Sequence, residues 1–295
     1  MTQDQQHGAD GADAADGADT ADGAEGAGPV EPEVLFEKRE HIAYITLNRP
    51  HKGNSLTGTM MPQMKAVWSE VRDDPWIRAA IVTGTGDRHL CTGADVNVVA
   101  GRGGMSTGTG PLTDEVFWSP RQNRVWKPVI CAVNGLAAGA GLHFVVDADI
   151  VVASERASFM DTHVNVGLVG AMENIGLAKR LPLGSALRMT LMGKGYRMPA
   201  ERAYQLGLVD ELVAHDRLMD TAEEMARCIA KNSPAAVSLS QQAIWGSLDM
   251  SYTQACEYGW ALLRMHWAHP DSKEGPRAFS EGREPKWTTA AGKDE

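Results

Sequence analysis

Hydrophobic side chains recur along this chain with two different periods, and the changes of period mark its elements. The run His41-Ile-Ala-Tyr-Ile-Thr-Leu47 is β-branched and aromatic and ends at Asn48-Arg49-Pro50, which predicts a strand closed by a turn. Met60, Met61, Met64, Val67, Trp68 and Val71 then fall on one face of a 3.6-residue repeat. That predicts a helix whose Met and Trp stripe is core rather than a cofactor pocket. Further strands are predicted at 79–84, 128–134, 149–153 and 157–160, with a Gly-rich loop at 101–110 and a helix around 113–126. Alternation of this kind is what parallel, doubly covered β structure built from crossover units produces. Beyond about residue 173 the pattern is mostly helical, over 174–181, 185–192, 199–206, 217–231, 234–248 and 253–268, with a short strand within 208–213. The chain therefore reads as α/β followed by a helical region that packs on its own domain or on a neighbouring subunit.

Composition changes this picture mainly at the N-terminus. Of a formal net charge of −10 over 295 residues, Asp4, Asp10, Asp13, Asp16, Asp19, Asp22 and Glu25 supply seven negative charges, unopposed by any Lys or Arg in 1–28. The Ala-Asp-Gly repetition of 1–30 offers no large apolar side chain to offset the entropy of ordering, so a disordered acidic leader is expected. It has neither the basic nor the apolar region of a secretory signal. The near-neutral remainder predicts no nucleic-acid partner. Cys91, Cys131, Cys228 and Cys256 form no C-x-x-C pair, which points to a reducing, cytoplasmic compartment. Residues 128–146 carry no charge, but Pro128, Asn134, Gly135, Gly139, Gly141 and His143 fit a buried strand, turn and helix start better than a membrane span.

There is no phosphate-loop motif, no G-x-S-x-G elbow and no H-E-x-x-H zinc helix. The loop at 101–110 lacks the strand and helix that frame a dinucleotide site, and is expected to be a surface loop or lid. Two other turns are better placed: Cys91-Thr-Gly-Ala-Asp95 follows the second strand, and Asn134-Gly-Leu-Ala-Ala-Gly-Ala-Gly-Leu-His143 follows the third. Ligands of parallel sheets bind at strand C-terminal ends, and small residues there let backbone N–H groups approach. Two converging N–H donors make an oxyanion hole.

These residues resemble the enoyl-CoA hydratase/isomerase, or crotonase, superfamily. The resemblance rests on Ile45-Thr-Leu-Asn-Arg-Pro50 with Asn54-Ser-Leu56, on Asp87-Arg-His-Leu-Cys-Thr-Gly-Ala-Asp95, on Ala132-Val-Asn-Gly-Leu-Ala-Ala-Gly-Ala-Gly141, on Asp147-Ala-Asp-Ile-Val-Val-Ala-Ser154 and on Glu274-Gly-Pro-Arg-Ala-Phe-Ser-Glu-Gly-Arg283. It implies a spiral of β-β-α units over 31–205, a helical trimerisation region over 206–295, and assembly as a homotrimer or dimer of trimers. It also implies an acyl-coenzyme A substrate, with coenzyme A part of the substrate and no separate cofactor or metal. The oxyanion donors would be the N–H groups of Ala94 and Ala140, with Lys52, Arg88, Asp95 and Phe279 as substrate-binding candidates. The Lys that the family usually carries three positions after the Phe is Gly282 here, beside Arg283.

The departures bear on the reaction. In the hydratases two glutamates flank the substrate double bond, one three residues after the second oxyanion donor and one four residues after the Phe of the short strand. Here those positions hold His143 and His163. A neutral imidazole offers one donor and one acceptor nitrogen, and titrates near neutrality, which suits acid or base work. Asp161 would orient His163 if the strand at 157–160 continues, as in hydrolytic Asp-His pairs. Glu173 is a third candidate. The readings are therefore an enoyl-CoA hydratase-like lyase using histidines, a carbon-carbon hydrolase or other enolate-forming lyase on a β-oxo acyl-CoA or β-diketone, and a non-catalytic scaffold.

Overall fold

Two largely parallel sheets divide the strands between them. The computed structural model describes residues 32–95, 100–101 and 110–288, so the acidic leader and most of the Gly-rich loop at 101–110 lie outside the described residues. From Pro32 onward the chain forms one compact unit. The larger sheet contains β1 (Val34–Arg39), β2 (Ile42–Leu47), β3 (Ala79–Gly84), β5 (Val129–Val133), β7 (Ile150–Ser154) and β10 (Glu211–Val213), in that order. Only the β1–β2 pair is antiparallel. The smaller sheet is β4 (His89–Cys91), β6 (Leu136–Ala138), β8 (Ser158–Met160) and β9 (Met198–Pro199), with β4, β6 and β8 parallel. From β3 to β8 successive strands alternate between the sheets, which is the spiral of β-β-α turns that the resemblance implies.

The corners of this spiral are tied by two buried asparagines. Asn134 donates to the carbonyls of Gly84, Gly86 and His89, at 2.8, 2.7 and 3.1 Å, and Asn54 donates to those of Thr85 and His89, at 3.0 and 2.9 Å. At the same corner Gly135 lies so close to Arg88 that a Cβ would fall 2.2 Å from its carbonyl. No larger residue fits there.

Helix α1 (Met60–Asp73) buries Met60, Met64, Trp68 and Val71 of the stripe read from the sequence against the inter-sheet core, with Met61 and Val67 partly buried at its edge. The Trp68 indole also donates to the Trp118 carbonyl at 2.8 Å. A second core covers the opposite face of the large sheet, where Leu218, Ala222 and Ala226 of one C-terminal helix pack on Ile42, Ile81 and Ile130. The helices after α1 are α2 (Leu112–Glu115), α3 (His143–Val146), α4 (Met172–Arg180), α5 (Leu183–Met192), α6 (Ala200–Gln205), α7 (Leu218–Ala230), α8 (Pro234–Ser247), α9 (Tyr252–His266) and α10 (Asp271–Glu281). Among the described residues, no helix is long and apolar enough to cross a membrane.

Two expectations need correction. The helix around 113–126 is confined to the four residues of α2. Beyond it Pro120 lacks an N–H, Arg124 takes φ +57°, and side chains replace the helical ladder. Asn123 donates to the Phe117 and Ser119 carbonyls, while Gln122 Oε1 accepts from the backbone N–H groups of Trp118 and Ser119. The segment 134–146 also contains a strand, β6, that its Gly-rich sequence does not announce.

Replacing Asn134 with Ala would take this donor from the Gly84 and Gly86 carbonyls, while the His89 carbonyl keeps Asn54. We expect Asn134→Ala to lower the unfolding free energy by roughly 2–3 kcal/mol. Urea titration at neutral pH measures this, and an unchanged midpoint would contradict the role assigned to the corner.

Candidate active site

The two turns singled out in the sequence touch. Leu56 pairs with Ala94 as an isolated parallel bridge, in which Leu56 N–H donates to the Gly93 carbonyl (2.8 Å) and Asp95 N–H to the Leu56 carbonyl (2.9 Å). Because alternate backbone groups of an extended segment point to opposite edges, the N–H of Ala94 faces away from this bridge. Gly93 has φ +89°, and a Cβ there would lie 3.1 Å from Ala140 N and 3.0 Å from the Ala138 carbonyl. Ala140 lies in the first turn of a 3-10 helix, Gly139–Leu142, where no intrahelical carbonyl reaches its N–H. The two candidate oxyanion donors thus belong to backbone segments in direct contact.

Beside them the fold gathers His143, His163, Asp161 and Glu173. His143 opens α3, Glu173 lies in the first turn of α4, and His163 starts a 3-10 turn, His163–Val166. Glu173 lies between the imidazoles: Oε2 is 3.4 Å from His143 Nε2, and Oε1 is 3.2 Å from His163 Nε2. His143 and Glu173 are buried and His163 nearly so. The Asp161–His163 pair forms, but not by strand alternation. Strand β8 ends at Met160, and the following turn brings His163 Nδ1 to 2.6 Å from Asp161 Oδ1. The backbone N–H of His163 (3.2 Å) and the Asn174 amide (2.8 Å) also donate to Asp161.

Hydrogen bonds fix the tautomers. Gln122 Oε1 accepts two backbone N–H groups, so its amide nitrogen must face His143 Nδ1, 3.0 Å away. An amide N–H only donates, so Nδ1 is an acceptor and the His143 proton sits on Nε2, toward Glu173. His143 is therefore held as a donor. At His163, Asp161 fixes the proton on Nδ1 and leaves Nε2 toward Glu173.

The charges follow from these contacts. Burial, aided by the neighbouring His163, pushes the His143 imidazole down to about 4. The hydrogen bond to Asp161 holds His163 above the usual imidazole range, against the opposing effect of burial. Burial raises the Glu173 carboxyl. Burial also acts to raise Asp161, but its hydrogen bonds from His163 and Asn174 outweigh that and hold it below the usual carboxylate range. Two groups whose protonated forms are favoured, His163 and Glu173, thus face each other across 3.2 Å, beside an Asp161 held below its usual range. Sequence reasoning named the His, Asp and Glu of this cluster, but gave no signal for Gln122 or Asn174.

The other candidates are scattered. Lys52 ends a 3-10 turn, Pro50–Lys52, next to Gly53, which packs on Thr92 of the oxyanion turn. Arg88 is exposed before β4. Asp95 is buried, 3.1 Å from Arg49 Nη2, and braces the turn. Phe279 projects from α10 with 90% exposure. Gly282 takes φ +65° to end that helix, and Arg283 is paired with Glu274 at 2.6 and 3.0 Å.

A family model described as enoyl-CoA hydratase/isomerase matches residues 37–290. The chain belongs to this family. Over 261 residues it is 35% identical to (E)-benzylidenesuccinyl-CoA hydratase of Thauera aromatica, covering 87% of this chain and 99% of that one. A short-chain-enoyl-CoA hydratase of Clostridium acetobutylicum is 32% identical over 256 residues, 85% of this chain and 95% of its own. The crystal structure of an enoyl-CoA hydratase/isomerase from Mycobacterium paratuberculosis superposes with a TM-score of 0.79 at 40% identity, covering 87% and 98% of the two chains. In this member of the enoyl-CoA hydratase/isomerase family, then, the turns at 91–95 and 134–143 lie in contact while a buried Glu lies between two imidazoles.

The His143 environment predicts a pH dependence. Its imidazole titrates near 4 in the native state, against about 6.5 in an unfolded chain. Between those values the unfolded chain binds a proton that the native state refuses, so stability falls as pH drops through this window. His143→Gln removes the contribution. From pH 7 to pH 4.5 the variant is expected to gain about 2 kcal/mol relative to wild type in urea-unfolding free energy, and a constant difference would exclude a neutral buried His143.

Proposed function

We propose that this chain adds water to, or removes it from, the C2–C3 bond of an acyl-coenzyme A thioester. The observation that carries this reading is Glu173 between His143 and His163, which returns a carboxyl group to a site whose two expected glutamates are histidines. The thioester oxygen would be held by the N–H groups of Ala94 and Ala140, which stabilise the enolate oxygen as charge develops on it. His163 Nε2 accepts a proton from water as the water oxygen bonds to C3, and Asp161 stabilises the imidazolium that results. Protonated Glu173 delivers its proton to C2 as the enolate collapses. The proton on His163 Nε2 then returns to Glu173 Oε1 across their 3.2 Å contact, and the site is restored.

In this scheme His143 donates to Glu173 and keeps its carboxyl oriented. The reaction is redox-neutral, so it calls for proton transfers and an oxyanion site, with coenzyme A entering as part of the substrate. The hydratases among the relatives support the same class of chemistry.

A second reading, hydrolytic carbon-carbon cleavage of a β-oxo acyl-CoA or β-diketone, is favoured by the 2.6 Å Asp161–His163 contact. Mass spectrometry separates the two readings, since hydration adds one water to an intact thioester whereas cleavage gives two fragments.

The purified protein is expected to bleach the conjugated absorbance of crotonyl-CoA or of a bulkier 2-enoyl-CoA. His163→Ala and Glu173→Gln should each lower kcat by about 10²–10⁴ with smaller changes in KM. Turnover that persists in both variants would overturn the assignment of the proton carriers. Fragments in place of a hydrated thioester would select the hydrolytic reading.

A further inference from the structure

The loop that carries Gln122 is fastened independently of His143. The Trp118 carbonyl accepts from the Trp68 indole at 2.8 Å, the Ser119 hydroxyl donates to Asp147, and the Asn123 amide ties the Phe117 and Ser119 carbonyls at 2.9 and 2.8 Å. Arg72 of α1 donates to the Asn123 carbonyl at 3.2 Å. On this frame Gln122 Oε1 takes the backbone N–H groups of Trp118 and Ser119, at 2.9 and 3.1 Å, and its amide nitrogen is left for the buried imidazole at 3.0 Å. A carboxylate of the same length would accept the same two N–H groups, but it has no hydrogen to donate. What distinguishes an amide from an acid at position 122 is therefore the contact with His143.

That contact reaches beyond one ring. With Nδ1 accepting, the single proton of the neutral His143 imidazole is on Nε2, 3.4 Å from Glu173 Oε2. A carboxyl oxygen that accepts from His143 is a poor place for the carboxyl's own proton, which then belongs on Oε1, 3.2 Å from His163 Nε2. In the other His143 tautomer an unprotonated Nε2 would draw the Glu173 proton to Oε2, away from His163. The two arrangements carry the same net charge and differ only in where protons sit. Among the described residues, Gln122 is the side chain that hydrogen-bonds to His143 Nδ1 and so selects between them.

We propose that Gln122 is a positioning residue of the reaction: acting through the His143 tautomer, it places the Glu173 proton on the oxygen that faces His163. Its effect on turnover rests on the hydration reading, whereas the tautomer is a property of the resting protein and is measured without substrate.

Nitrogen NMR of the full chain labelled at histidine tests the tautomer, with His143 identified by the signal lost in His143→Gln. At pH 8 a carboxylate held by two N–H groups is ionised. Wild type is expected to show a neutral His143 protonated at Nε2, Gln122→Glu a ring protonated at Nδ1, and Gln122→Met a mixture of the two. With a 2-enoyl-CoA that wild type hydrates, Gln122→Glu should lower kcat by about tenfold or more with little change in KM, and Gln122→Met by less. A merely structural role predicts the opposite order, because the Met side chain abandons the Trp118 and Ser119 N–H groups that the carboxylate keeps. The proposal fails if Gln122→Glu leaves His143 protonated at Nε2, if folded Gln122→Met loses more kcat than Gln122→Glu, or if the tautomer inverts and kcat does not change. Absence of turnover in wild type would sink the hydration reading and the effect on turnover with it, while the spectra alone decide the tautomer.

Discussion

Two backbone N–H groups can act on one carbonyl oxygen only where their chain segments come into contact, and Gly93 is where that contact is made. A side chain at Gly93 would press on Ala140 N and the Ala138 carbonyl, and would part the donors. The corner that brings the segments together is equally tight. Gly135 packs on Arg88, while Asn54 and Asn134 between them hold the carbonyls of 84, 85, 86 and 89. The short strands β4 and β6 are thus the parts of the small sheet that present two turns to one point. Large apolar cores on both faces of the other sheet supply the rigidity against which this corner is set.

Exchanging two carboxylates for two imidazoles does not yield two equivalent bases. Gln122 occupies the acceptor nitrogen of His143, so that ring can only donate toward Glu173. Asp161 occupies the donor nitrogen of His163, so that ring presents its basic nitrogen to the same carboxyl. One imidazole is a donor and the other an acceptor because of what each touches on its far side. The Glu173 carboxyl lies 3.4 Å from the first ring's Nε2 and 3.2 Å from the second's, so the cluster places a hydrogen-bond donor and a basic nitrogen on either side of one buried carboxyl.

Much of the fold was legible because buried parallel strands leave continuous β-branched runs, as at 79–84 and 129–133, and helix α1 shows its stripe directly. The three-residue strands β4 and β6 carry too few positions to show a period, and Gly135 and Gly139 give β6 the composition of a turn. The segment after 115 misleads because its helix-like composition is overruled by Pro120 and by amide side chains that take the backbone partners. At the site, the turns, the histidines and Asp161 are visible as motif positions. Gln122 is not, because an isolated Gln 21 residues before His143 carries no pattern until a nonhelical loop aims it. The placement of Glu173 was likewise hidden. It depends on Gly170, where a Cβ would fall 2.8 Å from His163 Nδ1 and 2.4 Å from the Asn174 amide.

The cluster draws its members from four separate segments: the loop at 118–122, α3, the turn at 161–163 and α4. Each polar contact therefore also fastens one segment to another, and the residues cannot be exchanged singly. A glutamate restored at position 143 would set a second carboxylate against Glu173 Oε2 and face the Gln122 amide with a different geometry. One restored at position 163 would deprive Asp161 of its ring donor and place an acid beside a buried anion, where like charges in a low dielectric repel strongly. Only the second change removes the basic nitrogen that faces Glu173 Oε1, while the first leaves His163 in place. His143, His163 and Glu173 are consequently one solution to the proton inventory of the site, set by the packing of α4 against the 161–163 turn rather than by any single substitution.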